Sequence, residues 1–332
     1  MGIFDFFSGW LATFAIVGMV VFFLFIFFRM WRSFTGYDRS MVGLAEKGLG
    51  GAVGAWKFSK EIKTSLEKER MGNQRQSNLD KKGNDLDNSI GSIVNNAQSS
   101  DSFGPEAQQR LDSLIKERER VLNEQLQAGK ALENELNSDA SIIKKEGRAA
   151  NKVAKSEKRE GTKILKVAEQ VKKETGQDLQ GVAQAEQASQ EIVKNETQVK
   201  AINGELTQIG KKLLERQRLK VKNIKFQKTK IRNLKRVSRK SGVPIQKLPQ
   251  FKQILAELNN SKQAVSASAN ATNQLLRKKS DLVTSLDSLN TTIVQKAQVV
   301  EKFVKSTTKV INTFTAKGKI SENTKKLVTG RK

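Results

Sequence analysis

The sequence predicts an all-α membrane protein: one N-terminal transmembrane helix, followed by a long antiparallel coiled-coil hairpin or a three-helix elongated bundle. Three observations support this prediction. An uncharged apolar stretch lies near the N-terminus, apolar residues recur at heptad spacing through most of the remaining chain, and only 3 of the 332 residues are proline. The formal net charge is +26, and such an excess of positive charge favours a polyanionic partner.

The transmembrane helix is predicted at residues 6–31, after a short flank at residues 1–5. The 23 residues from Phe6 to Phe28 carry no charge, and a helix of this length spans roughly 30 Å of hydrocarbon. Trp10 and Trp31 stand near the two ends of the stretch, where interfacial anchors are expected. The lipid bilayer is therefore the first predicted partner.

Flanking charge predicts the orientation of this helix. Arg29 and Arg32 follow the apolar stretch at once, and Arg39 and Lys47 lie within about 20 residues of it. The other flank offers only Asp5 and the amino terminus. Because positively charged flanks stay on the cytoplasmic side, we expect the N-terminus outside and the C-terminal bundle in the cytoplasm.

A juxtamembrane helix that is amphipathic and rich in glycine is predicted at residues 40–66. Its apolar residues recur at helical spacing, as in a helix lying on a membrane surface, and a flexible connector is the alternative. These residues are Met41, Ala45, Leu49, Ala52 and Trp56. Gly50 and Gly54 have the spacing that allows close packing against another helix.

Residues 67–104 are predicted to be a polar flexible linker. The composition changes here to Asn, Ser, Gly, Asp and Gln, and glycine recurs at positions 72, 83, 91 and 104. Such a composition favours turns and coil over a packed helix.

A basic coiled-coil bundle is predicted at residues 105–316, with helices at about 106–159, 162–240 and 250–316. In the first helix Ile115, Leu122, Leu136 and Ile143 are separated by multiples of seven. The second seam position of this helix is interrupted by polar residues, namely Arg118, Gln125 and Asp139.

The second helix has a sharper heptad seam with alternating steps of three and four. Its members are Ala185, Ala188, Ile192, Asn195, Val199, Ile202, Leu206, Ile209 and Leu213. Asn195 is thus a polar residue at a seam position. Two consecutive steps of four, through Gln217 and Val221, predict a stutter that locally unwinds the supercoil.

The third helix follows a break at residues 241–244, where Gly242 and Pro244 end the second helix. Its predicted seam includes Phe251, Ile254, Leu275, Lys279, Leu282, Leu286, Leu289, Ile293, Lys296, Val300, Phe303, Thr307, Val310 and Phe314. We expect the last two helices to fold back, pairing Leu213 with Leu275 and Ile192 with the Phe303 neighbourhood. A parallel homo-oligomer kinked at the prolines is the alternative. Residues 317–332 are predicted to be a basic disordered tail.

The positive charge is concentrated in residues 211–240, where fourteen Lys or Arg face one acid, Glu215. The predicted polyanion-binding residues are Lys211, Lys212, Arg216, Arg218, Lys220, Lys222, Lys225, Lys228, Lys230, Arg232, Lys235, Arg236, Arg239 and Lys240. Such a block binds phosphates as point charges, which suits RNA, the ribosome, DNA or an anionic lipid surface. Phe226 and Phe251 are assigned to the helix seam and not to base stacking. A merely solvated helix surface is the structural alternative.

Catalysis is not expected. The chain contains no cysteine and no histidine, which removes disulfides, thiol nucleophiles and the commonest general base. The sequence also offers no phosphate-binding loop or metal-ligand motif, so no cofactor is expected. We therefore predict a non-enzymatic, single-pass membrane scaffold or tether whose cytoplasmic basic coiled coil engages a polyanion. The alternative is a structural coiled coil of an envelope or secretion assembly, whose partner is a homo-oligomer or another coiled-coil protein.

Overall fold

The structure is a computed structural model that describes residues 39–99, 104–243 and 245–330. Within these ranges the chain is all-α, without strands. The helices are α1 Met41–Ser99, α2 Pro105–Thr175, α3 Val182–Ser241, α4 Pro249–Ala316 and α5 Glu322–Thr329, with a 3₁₀ turn at Ile245–Lys247. They divide into two compact units. The first unit comprises the described residues up to Trp56, Arg148–Lys200 and those from Leu289 onward, and the second comprises Lys57–Gly147 and Ala201–Ser288.

The predicted transmembrane helix at residues 6–31 lies outside the described residues, together with Trp10, Arg29, Trp31 and Arg32. None of the helices that the structure does describe is long and apolar enough to cross a membrane.

Helices α3 and α4 pair antiparallel within the chain. In the second unit Lys230 pairs with Glu257 at 3.1 Å, while Glu205, earlier on α3, pairs with Lys278, later on α4, at 3.0 Å. In the first unit Glu191 and Lys296 are 2.6 Å apart. Because partner numbers rise on α4 as they fall on α3, these contacts fit the predicted hairpin and not a parallel alignment of the two helices.

The polar segment predicted as a linker is helical from residue 67 to Ser99, so that prediction is wrong for this part of the chain. The segment continues a seam with alternating steps of four and three. The seam residues are Ile62, Leu66, Glu69, Asn73, Gln76, Asp80, Gly83, Asp87, Ile90 and Val94. Glu69 and Gln76 are fully buried, and Asp87 is 5% exposed. The second unit therefore contains four helical segments instead of the two or three predicted.

Polar side chains of α1 meet polar seam residues of the other helices in layers, which is why the segment folds. Glu69 accepts two hydrogen bonds from Lys279 of α4, at 2.7 and 2.6 Å, and Asp139 of α2 lies 2.6 Å from the same ammonium group. About five helical turns further along α1, Asp87 accepts a 2.7 Å hydrogen bond from Arg118 of α2. Buried charges with such partners are compatible with a helical core.

The predicted interruptions of the α2 seam are real core positions, because Arg118, Gln125 and Asp139 are all buried. Arg118 also donates to Gln125 and to Gln227 of α3, at 3.4 and 3.3 Å. The predicted stutter in α3 is confirmed by burial of Leu213, Gln217, Val221 and Ile224.

Two seam assignments are corrected by the burial pattern. On α3 the polar residues buried nearest to this position are Glu196 and Asn203, whereas Asn195 is only half-buried. On α4 the second core position lies one residue later than predicted, at Leu276, Val283, Asn290, Ala297, Val304 and Ile311. Adjacent apolar pairs, such as Leu282 with Val283, fit both phases, so apolar identity alone does not distinguish them.

The juxtamembrane segment is helical as the first part of α1. Three of the five residues of its predicted apolar face are covered by protein, whereas Leu49 and Trp56 are half-buried. Met41, Ala45 and Ala52 are at most 3% exposed in the first unit. Gly50 and Gly54 have open space beside them. The close approach to α2 is instead made at Gly48 and Gly51.

Replacing Gly51 by alanine should therefore destabilise the protein. A Cβ at Gly51 would lie 2.7 Å from Cγ2 of Val153, which is fully buried and cannot move aside. We expect the steric clash to cost more stability than the gain of about 1 kcal/mol from the higher helix propensity of alanine. Gly50→Ala is the control, since it has the same propensity gain and open space. Urea unfolding of the full chain in detergent, followed by helical circular dichroism, should show Gly51→Ala to be less stable than the parent and Gly50→Ala to be more stable.

The helix boundaries and the tail also differ from the sequence-based expectation. Helix α2 runs unbroken to Thr175, and the turn to α3 contains Gly176 and Gly181, both with positive φ. The tail predicted as disordered contains α5, which is capped by Ser321 and Gly330. Glu174 of α2 accepts hydrogen bonds from the Ser321 amide, the Ser321 hydroxyl and the Thr324 hydroxyl, each at 2.8 Å.

Candidate polyanion-binding surface

The basic block at residues 211–240 forms the C-terminal half of α3 and lies entirely in the second unit. Helix periodicity places its buried residues on one side, namely Leu213, Gln217, Val221, Ile224, Gln227, Ile231 and Leu234. The Lys and Arg side chains occupy the remaining positions around the helix. The structure therefore brings these residues onto one continuous helix surface, but it divides them into two groups.

Five of the fourteen basic residues are neutralised by acids of neighbouring helices. Lys220 pairs with Asp80 of α1, Arg218 with Glu133 of α2, and Lys230 with Glu257 of α4. Arg232 and Lys235 both pair with Glu119 of α2, at 3.7 and 2.5 Å.

The carboxyl group of Glu119 is held in its charged form by these two partners. The hydrogen bond from Lys235 lowers its pKa most, and the positive charges of Lys235 and Arg232 act in the same direction against partial burial. These five basic residues therefore join α3 to its neighbours, and they are less available for a ligand.

Seven other residues point to solvent and have no acidic partner within 4.0 Å in the described part of the chain. They are Lys211, Lys212, Lys222, Lys225, Arg236, Arg239 and Lys240. We call them the free basic face. Lys228 is half-buried, and Arg216 donates a 3.4 Å hydrogen bond to the backbone oxygen of Ser268. Seven unneutralised cations along about 30 residues of one helix create a local field attractive to phosphate groups.

An apolar line runs beside the free basic face, and the sequence did not reveal it. Leu219 is 61% exposed, Phe226 is 52% exposed and Val237 is 40% exposed. The seam assignment of Phe226 is thus wrong, whereas Phe251 is buried as predicted. Leu219 and Val237 are 18 residues apart, which is about five helical turns, so they lie on the same side of α3.

Phe226 has one ring face already occupied. The ammonium nitrogen of Lys230 lies 5.1 Å from the centroid of its ring, within the distance of a cation–π contact. Leu219, Phe226 and Lys222 also line a groove of about 560 Å³ together with Arg216 and Ser268.

In the described helices no three acidic residues are grouped so that they could hold a metal ion. No protein-family model matches the sequence, and neither a curated protein nor a solved structure is significantly similar to it.

Proposed function

We propose that this chain is a non-enzymatic, single-pass membrane scaffold or tether, and that the free basic face of α3 engages a polyanion. The observation that carries the proposal is the division of the basic block: five residues are paired with acids, and seven exposed residues are left without an acidic partner among the described residues. A helix that needed Lys and Arg only for solubility would gain more from alternating acidic and basic residues.

The predicted anchor at residues 6–31 supplies the membrane end of this tether, with the N-terminus outside and the helical units in the cytoplasm. The cytoplasmic side suits a basic surface, because RNA, ribosomes, DNA and anionic lipid headgroups are all found there. Attraction to any of them is electrostatic, so binding weakens steeply as salt concentration rises.

Neutralising four members of the free basic face should remove most of this binding. We expect Lys211→Gln, Lys222→Gln, Lys225→Gln and Arg236→Gln together to weaken binding to anionic vesicles by a factor of about 1,000, from about 1 kcal/mol per charge. Binding to single-stranded RNA should show a salt dependence shallower by about three, since each lost phosphate contact contributes about 0.7. The measurement is a salt titration of the full chain in neutral nanodiscs, with vesicles or RNA as ligand.

The control carries the same change of charge on α1 of the same unit, at exposed residues: Lys57→Gln, Lys63→Gln, Lys68→Gln and Arg75→Gln. The control should retain at least half of the parental salt dependence. Equal losses in both variants would show a diffuse charge effect and contradict a localised binding surface. Absence of binding by the parent, with salt-insensitive self-association in light scattering, would favour the structural coiled-coil alternative.

A further inference from the structure

The apolar line on α3 is not explained by polyanion binding alone. Leu219, Phe226 and Val237 are exposed by 61%, 52% and 40%, although half of the residues around them are charged. Large apolar side chains aligned on one side of a polar helix are typical of a surface that a partner covers. The partner must therefore accept both apolar side chains and positive charge.

The geometry of α3 places positive charge along the apolar line. At 100° per residue, Lys222 and Lys240 lie about 60° from the line on the side away from α4, and Lys212 lies within about 20° of it. Lys and Arg have long apolar stems and a charged end, so they can reach phosphates while their stems lie beside an inserted residue. This arrangement is typical of helices that lie in the interface of an anionic bilayer.

A nucleic acid fits the same surface less well. Phosphates gain nothing from contact with Leu219 or Val237, and base stacking would use an aromatic face. Phe226 is the only aromatic residue in the block, and Lys230 already lies over one face of its ring at 5.1 Å. Base stacking along this line therefore has at most one platform, whereas a lipid interface accepts all three side chains.

We propose that the free basic face and the apolar line together form a docking surface for an anionic lipid bilayer, with Leu219, Phe226 and Val237 entering the headgroup region. This inference rests on the proposed function and names its partner. The anchor holds the chain in one bilayer, and α3 contacts the anionic lipid of a second, facing bilayer through phosphate contacts from the basic face and apolar contacts from the line.

The absence of cysteine from the chain permits a direct test of insertion. In the full chain in phosphatidylcholine nanodiscs, Phe226→Cys is labelled with an environment-sensitive fluorophore, and Met71→Cys, 64% exposed on α1, is labelled as the control. Phosphatidylserine vesicles should shift the emission of the label at position 226 to the blue but not that at position 71. Phosphatidylcholine vesicles and single-stranded RNA should shift neither.

Removing the apolar line gives the second readout. We expect Leu219→Gln, Phe226→Gln and Val237→Gln together to weaken phosphatidylserine-vesicle binding by about tenfold, with RNA affinity unchanged, because the charge is retained. The matched control is Met71→Gln, Leu165→Gln and Val299→Gln, which removes side chains of similar exposure, 64%, 40% and 40%, and should bind like the parent.

The outcomes separate this inference from the proposed function. Salt-sensitive binding of vesicles or RNA without a blue shift at position 226, or without an effect of the Gln variant, overturns lipid docking and leaves the polyanion tether in place. A blue shift with RNA alone assigns the surface to nucleic acid and also overturns lipid docking. Failure of the parent to bind either ligand overturns both proposals.

Discussion

Lys279→Met is expected to lower the free energy of unfolding by about 3–5 kcal/mol, the usual effect of removing one partner from a buried ionic cluster. The Lys279 side chain is fully buried in the second unit, and the side chains of Glu69 and Asp139 are at most 2% exposed. Its ammonium group lies within 2.7 Å of oxygens from both carboxyl groups. Without the ammonium group, two acids remain in a site that excludes water.

Glu69 would respond by keeping its proton, which reduces but does not remove the loss of stability. Burial already raises the pKa of Glu69 to about 7, and attraction to Lys279 opposes that rise. In Lys279→Met the opposing attraction is gone, so the pKa of Glu69 should rise further. The destabilisation should therefore be smaller near pH 5 than at pH 8.

The neighbouring lysine provides a matched control. Lys278 is 62% exposed and pairs with Glu205, itself 50% exposed, so Lys278→Met should change stability by less than about 1 kcal/mol. Urea unfolding of the full chain in detergent measures both variants. A loss in Lys279→Met no greater than that in Lys278→Met would contradict the assignment of Lys279 as the counter-ion of this cluster.

Combining Lys279→Met with Glu69→Met and Asp139→Leu should restore stability to near the parental value. Buried ion pairs replaced together by apolar residues of similar volume are often neutral or stabilising, since no charge is left without a partner. The triple variant also tests specificity. If the ionic cluster fixes the alignment of α1 with α2 and α4, its apolar replacement should keep helical content but broaden the unfolding transition.

This cluster also explains which part of the fold the sequence could predict. Helices α2, α3 and α4 have largely apolar seams, so heptad spacing locates them to within a few residues at most boundaries. The second half of α1 has a seam of Glu69, Gln76, Asp80, Gly83 and Asp87. Its three acids pair with Lys279, Lys220 and Arg118 of the other helices. Composition alone therefore indicates a linker, and only tertiary pairing makes the segment a core helix.

A signal for α1 was nevertheless present. Ile62 and Ile90 are 28 residues apart, as are Leu66 and Val94, and 28 residues are four complete heptads. Apolar pairs in the same phase on both sides of a polar stretch indicate that the helix continues through it. The buried cations predicted on other seams, Arg118 and Lys279, likewise required acids from some other segment.

The candidate surface could be predicted in part. Composition located the basic block, but it could not separate residues that pair with Glu119, Glu133 or Asp80 from those left exposed, since these acids lie on other helices. The apolar line was missed for a related reason. Phe226 lies one residue before the buried Gln227, and a one-residue change of phase moves a side chain from the core to the surface.

Glu160→Met is expected to raise the free energy of unfolding by about 3 kcal/mol at pH 7, because it removes a carboxyl group that the folded protein holds in its protonated form. Glu160 and Glu157 are buried on α2 in the first unit, beneath Gly48 of α1. Neither carboxyl oxygen of Glu160 has a hydrogen-bond partner among the described residues. Burial raises the pKa of Glu160 to about 9, and repulsion from Glu157 adds to it.

The direction of the pH dependence follows from the number of protons that the folded and unfolded states bind. The unfolded chain releases the Glu160 proton near the ordinary value of 4.5, whereas the folded protein retains it until about 9. Between these values the unfolded state binds fewer protons, so stability falls as pH rises, by about 1.4 kcal/mol per pH unit. Burial also raises the pKa of Glu157, to about 7, against a hydrogen bond from Ser189, which steepens the fall between pH 4.5 and 7.

The measurement is urea unfolding of the full chain from pH 5 to 9. The parent should lose stability steadily over this range, and Glu160→Met should lose less because only Glu157 still titrates in the site. Glu169→Met, at an exposed position on the same helix, controls for removal of a carboxylate from α2. Parallel pH profiles for the parent and Glu160→Met would show that Glu160 reaches solvent or a counter-ion.

A Gly48→Ala variant gives an independent check of this site. The new Cβ would overlap the Glu157 carboxylate, so Gly48→Ala should lower the free energy of unfolding less when Glu157 is also shortened to Ala.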